Sequence, residues 1–320
     1  MEKKIIPPKY IIVLGTTASG SGAIYDYLTG RGDFHVPMMS GEYQLPQAPN
    51  GLMALEAAAG KAFHPGTADF ALIQFENIAK KLEQSRTIYS PGKGFGKNLK
   101  SFHIAIEQFV SEITSANYPM HLEWHRLMLS PIQHFINLLK RRFGFKEPTP
   151  LTRLLVSPNE LVAAAQKLHD RIFQPEKKNY PILLNQAGSG WNPIESTKYF
   201  SSRKVILVTR DPRDQFVEIK KNKEGTSVEG FIEWYIEMRK RLKEINNPVL
   251  LHISFEDFVV ENKKFLDLLC NHILIDPKIK SSYEPKLSLK NIGKYHQFLN
   301  QKELDLIENR LSTYIYTKLK

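Results

Sequence analysis

The chain has 320 residues, 42% of them hydrophobic and 24% charged, which is enough for one large or two small globular domains. A single cysteine, Cys270, excludes an internal disulfide framework and fits a reducing compartment. The opening MEKKIIPPKY has too short an apolar run for a signal peptide, and no run approaches the ~20 residues of a membrane span. A cytoplasmic protein is therefore expected. The formal net charge of +11 suits anionic ligands such as nucleotides, polyanions or an anionic lipid surface at the inner face of a membrane.

In chain order, the first element is a short apolar strand, Tyr10–Leu14, that ends abruptly at Gly15. Small residues follow from Thr16 to Gly22, and then Ala23, Ile24, Tyr27 and Leu28 recur at helical spacing. Strand, small-residue loop and helix together form a phosphate cradle. The small side chains let oxyanions reach backbone N–H groups, and the helix points its positive end at them. The loop is not a Walker A box, because Gly20 is followed by Ser21 where that motif needs Lys. A tight strand–helix turn with no ligand is the plain structural alternative.

Asp33–Val36 is expected to be a second strand. It runs into PMMSGEYQLPQAPNGL, where Glu42 is the only carboxylate between Asp33 and Glu56. Ligands of open α/β sheets bind beyond the carboxyl ends of strands, so Glu42 stands where chemistry would occur. Taken alone, it reads equally as a loop carboxylate in water.

Residues 51–175 are expected to be mainly helical. Periodic faces recur at Leu52, Leu55 and Ala59, at Phe102, Ile106, Phe109 and Ile113, in a long helix over Trp124–Leu139 bent at Pro131, and again from Leu154 to Phe173. SPGKGFG, 90–96, breaks the pattern with a cationic loop. His121 and His125 stand four apart on one helical face, but no third ligand falls at a metal-site spacing.

Regular alternation returns with a strand at Pro181–Leu184 and a short helix at Ile194–Phe200. Arg203–Thr209, RKVILVT, is the clearest strand, a run suited to a parallel sheet buried on both faces. RDPRDQF follows. Asp211 can cap a helix with Pro212 at its first position, which leaves Arg210 at the strand's carboxyl end. A helix at Phe231–Leu242, a strand at Pro248–Ile253, a Ser254-capped helix, a polar basic segment at Ser281–Gln297 and a helix at Glu303–Leu319 complete the chain.

Four places in order give this chain a resemblance to the sulfotransferases that use 3'-phosphoadenosine 5'-phosphosulfate (PAPS), especially the bacterial carbohydrate-type branch. GTTASGSGAIYDYL resembles the family's 5'-phosphosulfate loop, and VILVTRDPRDQF its 3'-phosphate element. HISFEDFV, 252–259, is similar to the family's late strand and acidic-aromatic pair. SLKNIGKY, 288–295, resembles the late basic loop that closes over the 3'-phosphate.

The resemblance implies a P-loop-like three-layer α/β fold in a single domain over 1–320, with a central parallel sheet of about five strands. The helical insertion 51–175 would bind the acceptor. It implies PAPS as cofactor, adenosine 3',5'-bisphosphate (PAP) as product, and no resident metal. Ala18, Ser19, Gly20, Ser21, Gly22 and Ala23 would take the 5' end, and Arg210 the 3'-phosphate. Lys290, Asn291 and Gly293 would form the second side of that clamp. Glu42, placed like the branch's glutamate after the second strand, would be the general base toward a hydroxyl of a glycan or glycolipid. Peripheral contact with an anionic membrane is compatible with the charge; no nucleic acid and no obligate protein partner are implied.

Three residues depart from the family pattern. Ala18 stands where many members carry Lys or Arg, Glu218 where a phosphate-binding Ser is common, and Lys290 where Arg is frequent. A nucleotide or small-molecule kinase shares the strand–loop–helix start but would want a loop lysine. A non-catalytic nucleotide-binding scaffold is the other class compatible with Ala18 and Glu218.

Overall fold

A computed structural model describes residues 8–39, 41–120, 123–145, 149–174, 180–222, 225–243 and 245–318. The chain divides into two compact units: Met1–Pro46 with Pro175–Lys320, and Gln47–Gln174.

The first unit is built on one parallel sheet. Its strands are β1 (Tyr10–Gly15), β2 (Ile182–Asn185), β3 (Arg203–Thr209) and β4 (Leu250–Ser254), in the spatial order β2-β1-β3-β4. Tyr10 lies opposite both Ile182 and Arg203, and Thr209 opposite Ser254. The apolar runs form strands because both faces are covered, so the parallel ladder buries the side chains of the central β1 and most of those of β3. On one face Ile11, Val13, Ile206, Val208 and Ile253 pack with Ile24 and Leu28 of helix α1 (Ser21–Thr29) and with Phe258, Leu269 and Ile273. On the other, the Tyr10 ring meets Phe200 edge-on at 5.3 Å, and Tyr43 stands against the same ring at 6.3 Å. Each large apolar side chain so buried contributes about 1.5–3 kcal/mol.

The sheet has four strands. The segment expected as a second strand, 33–36, makes one bridge only, between His35 and Ile182. Pro37 follows, and a residue without an N–H ends the pairing. β1 leads toward β2 on one side, whereas β3 leads toward β4 on the other. The connections therefore diverge between β1 and β3, opening a crevice at their carboxyl ends where such sheets hold ligands.

The second unit is helical, as its periodicity predicts, around Leu72, Phe75, Phe109, Leu161 and Leu168. Phe75 and Phe109 meet at 5.4 Å. It also contains an element the periodicity did not announce, an antiparallel pair of Thr114–Pro119 with Leu151–Leu155. Leu154 is thus in a strand, not a helix. The following helix, Pro158–Ile172, starts only after a capping box of Ser157 and Glu160. A proline at its first position disfavours helical backbone in the residue before it, so the helix cannot extend back to Leu154. The long helix expected over 124–139 is two helices, Glu123–Leu127 and Pro131–Arg142, divided by a Ser130–Gln133 capping box.

His125 pairs through Nε2 with Asp69 at 3.1 Å, and Asp69 also accepts the Arg153 backbone N–H at 3.2 Å. His121 lies outside the described residues. Among the described residues no three His, Cys, Asp or Glu side chains converge on a metal-sized site.

Candidate functional site

The site is assembled at the carboxyl ends of β1 and β3. Gly15 closes β1, and a Cβ there would fall 2.0 Å from Ser19 Oγ, so the loop's fold-back requires glycine. Ser19 is consequently buried under the turn, and its N–H donates to the Thr16 carbonyl at 3.1 Å. Ala18 has φ 60 and Gly20 φ 83, two left-handed steps that turn the chain into α1. Gly20 also rests on Phe255, since a Cβ there would lie 2.4 Å from the ring.

Two glutamines hold the loop from beneath. Gln186, just after β2, accepts from the Gly15 N–H at 3.2 Å and donates to Ser21 Oγ at 3.0 Å. Gln215, in helix α2 (Pro212–Asn222), donates to Thr16 Oγ1 at 3.2 Å and to the Thr17 carbonyl at 2.6 Å. No side chain caps the N-terminus of α1. Among the described residues the backbone N–H groups of Ala18, Gly20 and Gly22 have no partner, and the space where a Gly22 side chain would stand is open. The loop is thus braced by two side chains and keeps backbone donors unpaired among the described residues.

Arg210 leaves the end of β3 and is 6% exposed. Its Nη1 donates to the Ala18 carbonyl at 3.2 Å and its Nη2 to the Asn291 carbonyl at 2.5 Å. The guanidinium lies over the Phe255 ring, 5.0 Å from its centre, a cation–π contact. The Nε N–H is buried with no partner among the described residues.

The backbone around Arg210 is equally constrained. The Tyr235 hydroxyl donates to the Arg210 carbonyl at 3.0 Å. Asp211 caps α2, accepting the Arg213 N–H at 2.8 Å, and gives its own N–H to buried Glu256 at 2.8 Å. Burial pushes the Glu256 carboxyl up, against the N–H and hydroxyl groups that donate to it.

The late basic segment comes to the same edge through α2. The Gly293 N–H, at φ 78, donates to Asp214 at 2.7 Å, and the Tyr295 N–H to the same carboxylate at 3.1 Å. Gly293 thus uses its N–H within the protein. Lys294 pairs with Glu218 at 2.5 Å and holds that carboxyl below its ordinary range.

Two cavities result. The smaller, about 350 Å³, is lined by Ala18, Gly20, Arg210, Phe255 and Asn291, and also by Glu218 and Asn222. The larger, about 800 Å³, is lined by Lys220, Lys221, Lys290, Lys294 and Phe298. Glu218 lines both. The structure thus brings Ala18, Gly20, Arg210 and Asn291 to one cavity and places Lys290 and Gly293 in the other.

Glu42 lines neither. It is exposed, and its carboxylate accepts from Gln44 Nε2 at 2.8 Å. The adjacent Tyr43 N–H donates to the Asn185 carbonyl at the end of β2, which ties this loop to the same edge of the sheet.

Sequence reading missed Gln186, Gln215, Tyr235, Phe255 and Asp214. Phe255 lies within HISFEDFV and Gln215 within RDPRDQF, so the motifs marked their stretches, but no spacing rule marks a side chain that acts by reaching across the fold.

These residues suit a ligand with two anionic ends. The α1 loop and the Arg210 guanidinium line one cavity together, and the lysine-lined cavity adjoins it through Glu218.

No family model matches the chain, and no curated protein matches it at a significant level. Among solved structures, the sulfotransferase domain from the Synechococcus PCC 7002 olefin synthase is similar at 12% identity and a TM-score of 0.45, over 99% of this chain and 98% of that one. The sulfotransferase domain from the curacin biosynthetic pathway is similar at 15% identity and a TM-score of 0.42, over 97% of this chain and 99% of that one. Both neighbours are sulfotransferase domains.

Proposed function

We propose that the chain is a sulfotransferase that moves a sulfuryl group from PAPS to a hydroxyl of a glycan or glycolipid acceptor. The observation that carries this reading is the meeting of two groups that attract anions at one cavity: the uncapped loop of α1 and the Arg210 guanidinium, which is anchored to that loop through the Ala18 carbonyl. When bound, PAPS would supply an already activated sulfuryl group.

The chain's residues then have distinct tasks. Within the Ala18–Ala23 loop the N–H groups of Ala18, Gly20 and Gly22 take the 5' end, whereas Ser19 and Ala23 give theirs to the Thr16 and Gly20 carbonyls and Ser21 is held by Gln186, so that these three shape the loop. Arg210 takes the 3'-phosphate with the N–H groups that its carbonyl contacts leave free. Asn291 sets the position of that guanidinium through its carbonyl, and Gly293 sets the turn that presents Lys290 and Lys294. Glu42 accepts the proton of the attacking hydroxyl, a role open to an exposed carboxylate on this edge. In-line transfer then depends mainly on positioning and on stabilising charge.

The test is a thermal-shift comparison, because a ligand that binds only the native state raises its melting temperature. PAP should raise Tm more than AMP at equal concentration, followed by turnover of PAPS with a glycan acceptor panel. Equal shifts for PAP and AMP would remove the 3'-phosphate site. A response confined to magnesium–ATP would point to a kinase, and PAP binding without turnover on any acceptor to a scaffold.

A further inference from the structure

We infer that the helix Pro131–Arg142 is a docking surface for an anionic lipid bilayer. The helix begins at the Ser130–Gln133 capping box with Pro131 in its first turn, so its register is set locally. None of its residues is buried. Ile132 is 72% exposed, Phe135 60%, Ile136 43% and Leu139 39%, and Phe143, just past its end, 73%. These five stand at i, i+3, i+4, i+7 and i+11, which is a single stripe along one side of a helix. A contiguous exposed stripe of large apolar side chains marks an interaction site rather than ordinary surface.

The arrangement of charge selects the occupant. At about 100° per residue, Lys140 and Arg142 fall roughly 80° to either side of Ile132, flanking the stripe. His134, Asn137 and Arg141 occupy the opposite side, Gln133 lies beside the Lys140 border, and Leu138, 49% exposed, stands beyond Arg142. Long cationic side chains along both borders of an apolar stripe can reach lipid headgroups while the stripe enters the acyl boundary. Pro131–Phe143 contains no carboxylate. Two copies of this helix packed stripe to stripe would therefore oppose like charges with no acid to pair them, whereas an anionic bilayer supplies the complementary charge along the whole length. Trp124, Leu127 and Met128, in the preceding turns, are also exposed, at 50%, 67% and 55%. Among the described residues no helix is long and apolar enough to cross a membrane, so the contact is with the surface.

The experiment is flotation of the full chain with vesicles of phosphatidylcholine alone and of phosphatidylcholine mixed with phosphatidylglycerol. The chain should float with the mixed vesicles and not with the neutral ones, and release as salt is raised. Phe135→Asp with Ile136→Asp should abolish flotation. Lys140→Glu with Arg142→Glu should weaken it roughly tenfold or more, with the melting temperature unchanged because both side chains are on the surface. The charge variant decides the matter even if the apolar variant fails to fold. Failure of the wild-type chain to float with mixed vesicles, equal flotation with both lipids, or indifference to the charge variant would overturn the inference. So would sedimentation velocity showing a dimer in solution that Phe135→Asp dissociates.

Discussion

The carboxyl edge of the parallel sheet and the Pro131–Arg142 helix both offer positive charge, but in opposite physical states. At the edge Arg210 is buried, held by two carbonyls and a ring, and Lys294 is committed to Glu218. On the helix, Lys140 and Arg142 border an exposed apolar stripe. A charge fixed by its neighbours can place one anion at one point, because its geometry was settled on folding. A charge on a mobile surface side chain contributes attraction to an extended surface and little precision. The first arrangement suits a small ligand, and the second a bilayer.

Glu42 is the exception that tests this contrast, being exposed yet at the edge where precision is expected. Glu42→Gln keeps its shape and removes proton acceptance. Turnover of PAPS with a competent acceptor should fall by roughly 10²–10⁴ while PAP affinity is unchanged. Near-normal turnover would show that an exposed carboxylate here is merely solvated.

Arg210→Ala strikes the fixed charge itself. Loss of a charge-assisted contact costs about 1.5–3 kcal/mol, so PAP affinity measured by calorimetry should fall roughly ten- to a hundredfold while AMP affinity changes little. Arg210→Lys, which keeps the charge without the planar fork, should recover only part of the loss. Full recovery would mean that charge alone, not placement, does the binding.

The smallest effect is expected at Glu218, which removes a positive charge from the edge by pairing with Lys294. Glu218→Gln frees that lysine, and PAP affinity should rise a few-fold, in keeping with the ~0.2–1 kcal/mol of a partly exposed pair. Lys294 holds the Glu218 carboxyl below its ordinary 4.5, so the pair's stabilising contribution is present above that value and is lost as pH falls through the depressed one. The Tm difference between wild type and Glu218→Gln should therefore vanish on acidification through that range. A difference that persists in acid would mean that the pair is not what separates the two proteins.

Local chemistry was legible in the residues themselves. The apolar runs Tyr10–Leu14 and Arg203–Thr209 are strands of one parallel sheet, Asp211 with Pro212 starts a helix, and the small residues after Gly15 form an open loop. Each depends on neighbours a few positions away, and steric and capping rules operate at that range. The Leu151–Leu155 strand was not legible, because its partner lies more than thirty residues earlier and its own pattern also fits a helix. The 33–36 segment failed for the complementary reason: Pro37 cut short a ladder that its apolar residues alone would have favoured.

The sequence by itself thus determined which stretches can present donors at the ends of strands, since backbone freedom and helix starts are local properties. Only the tertiary structure decided which donors remain available. It spends the Gly293 N–H on Asp214, lays Arg210 on Phe255 between two carbonyls, sets Glu218 against Lys294, and leaves Lys290 in the neighbouring cavity. The physical reason is that a buried polar group must find a partner wherever the fold brings one, and that partner's place in the chain bears no fixed relation to its place in space.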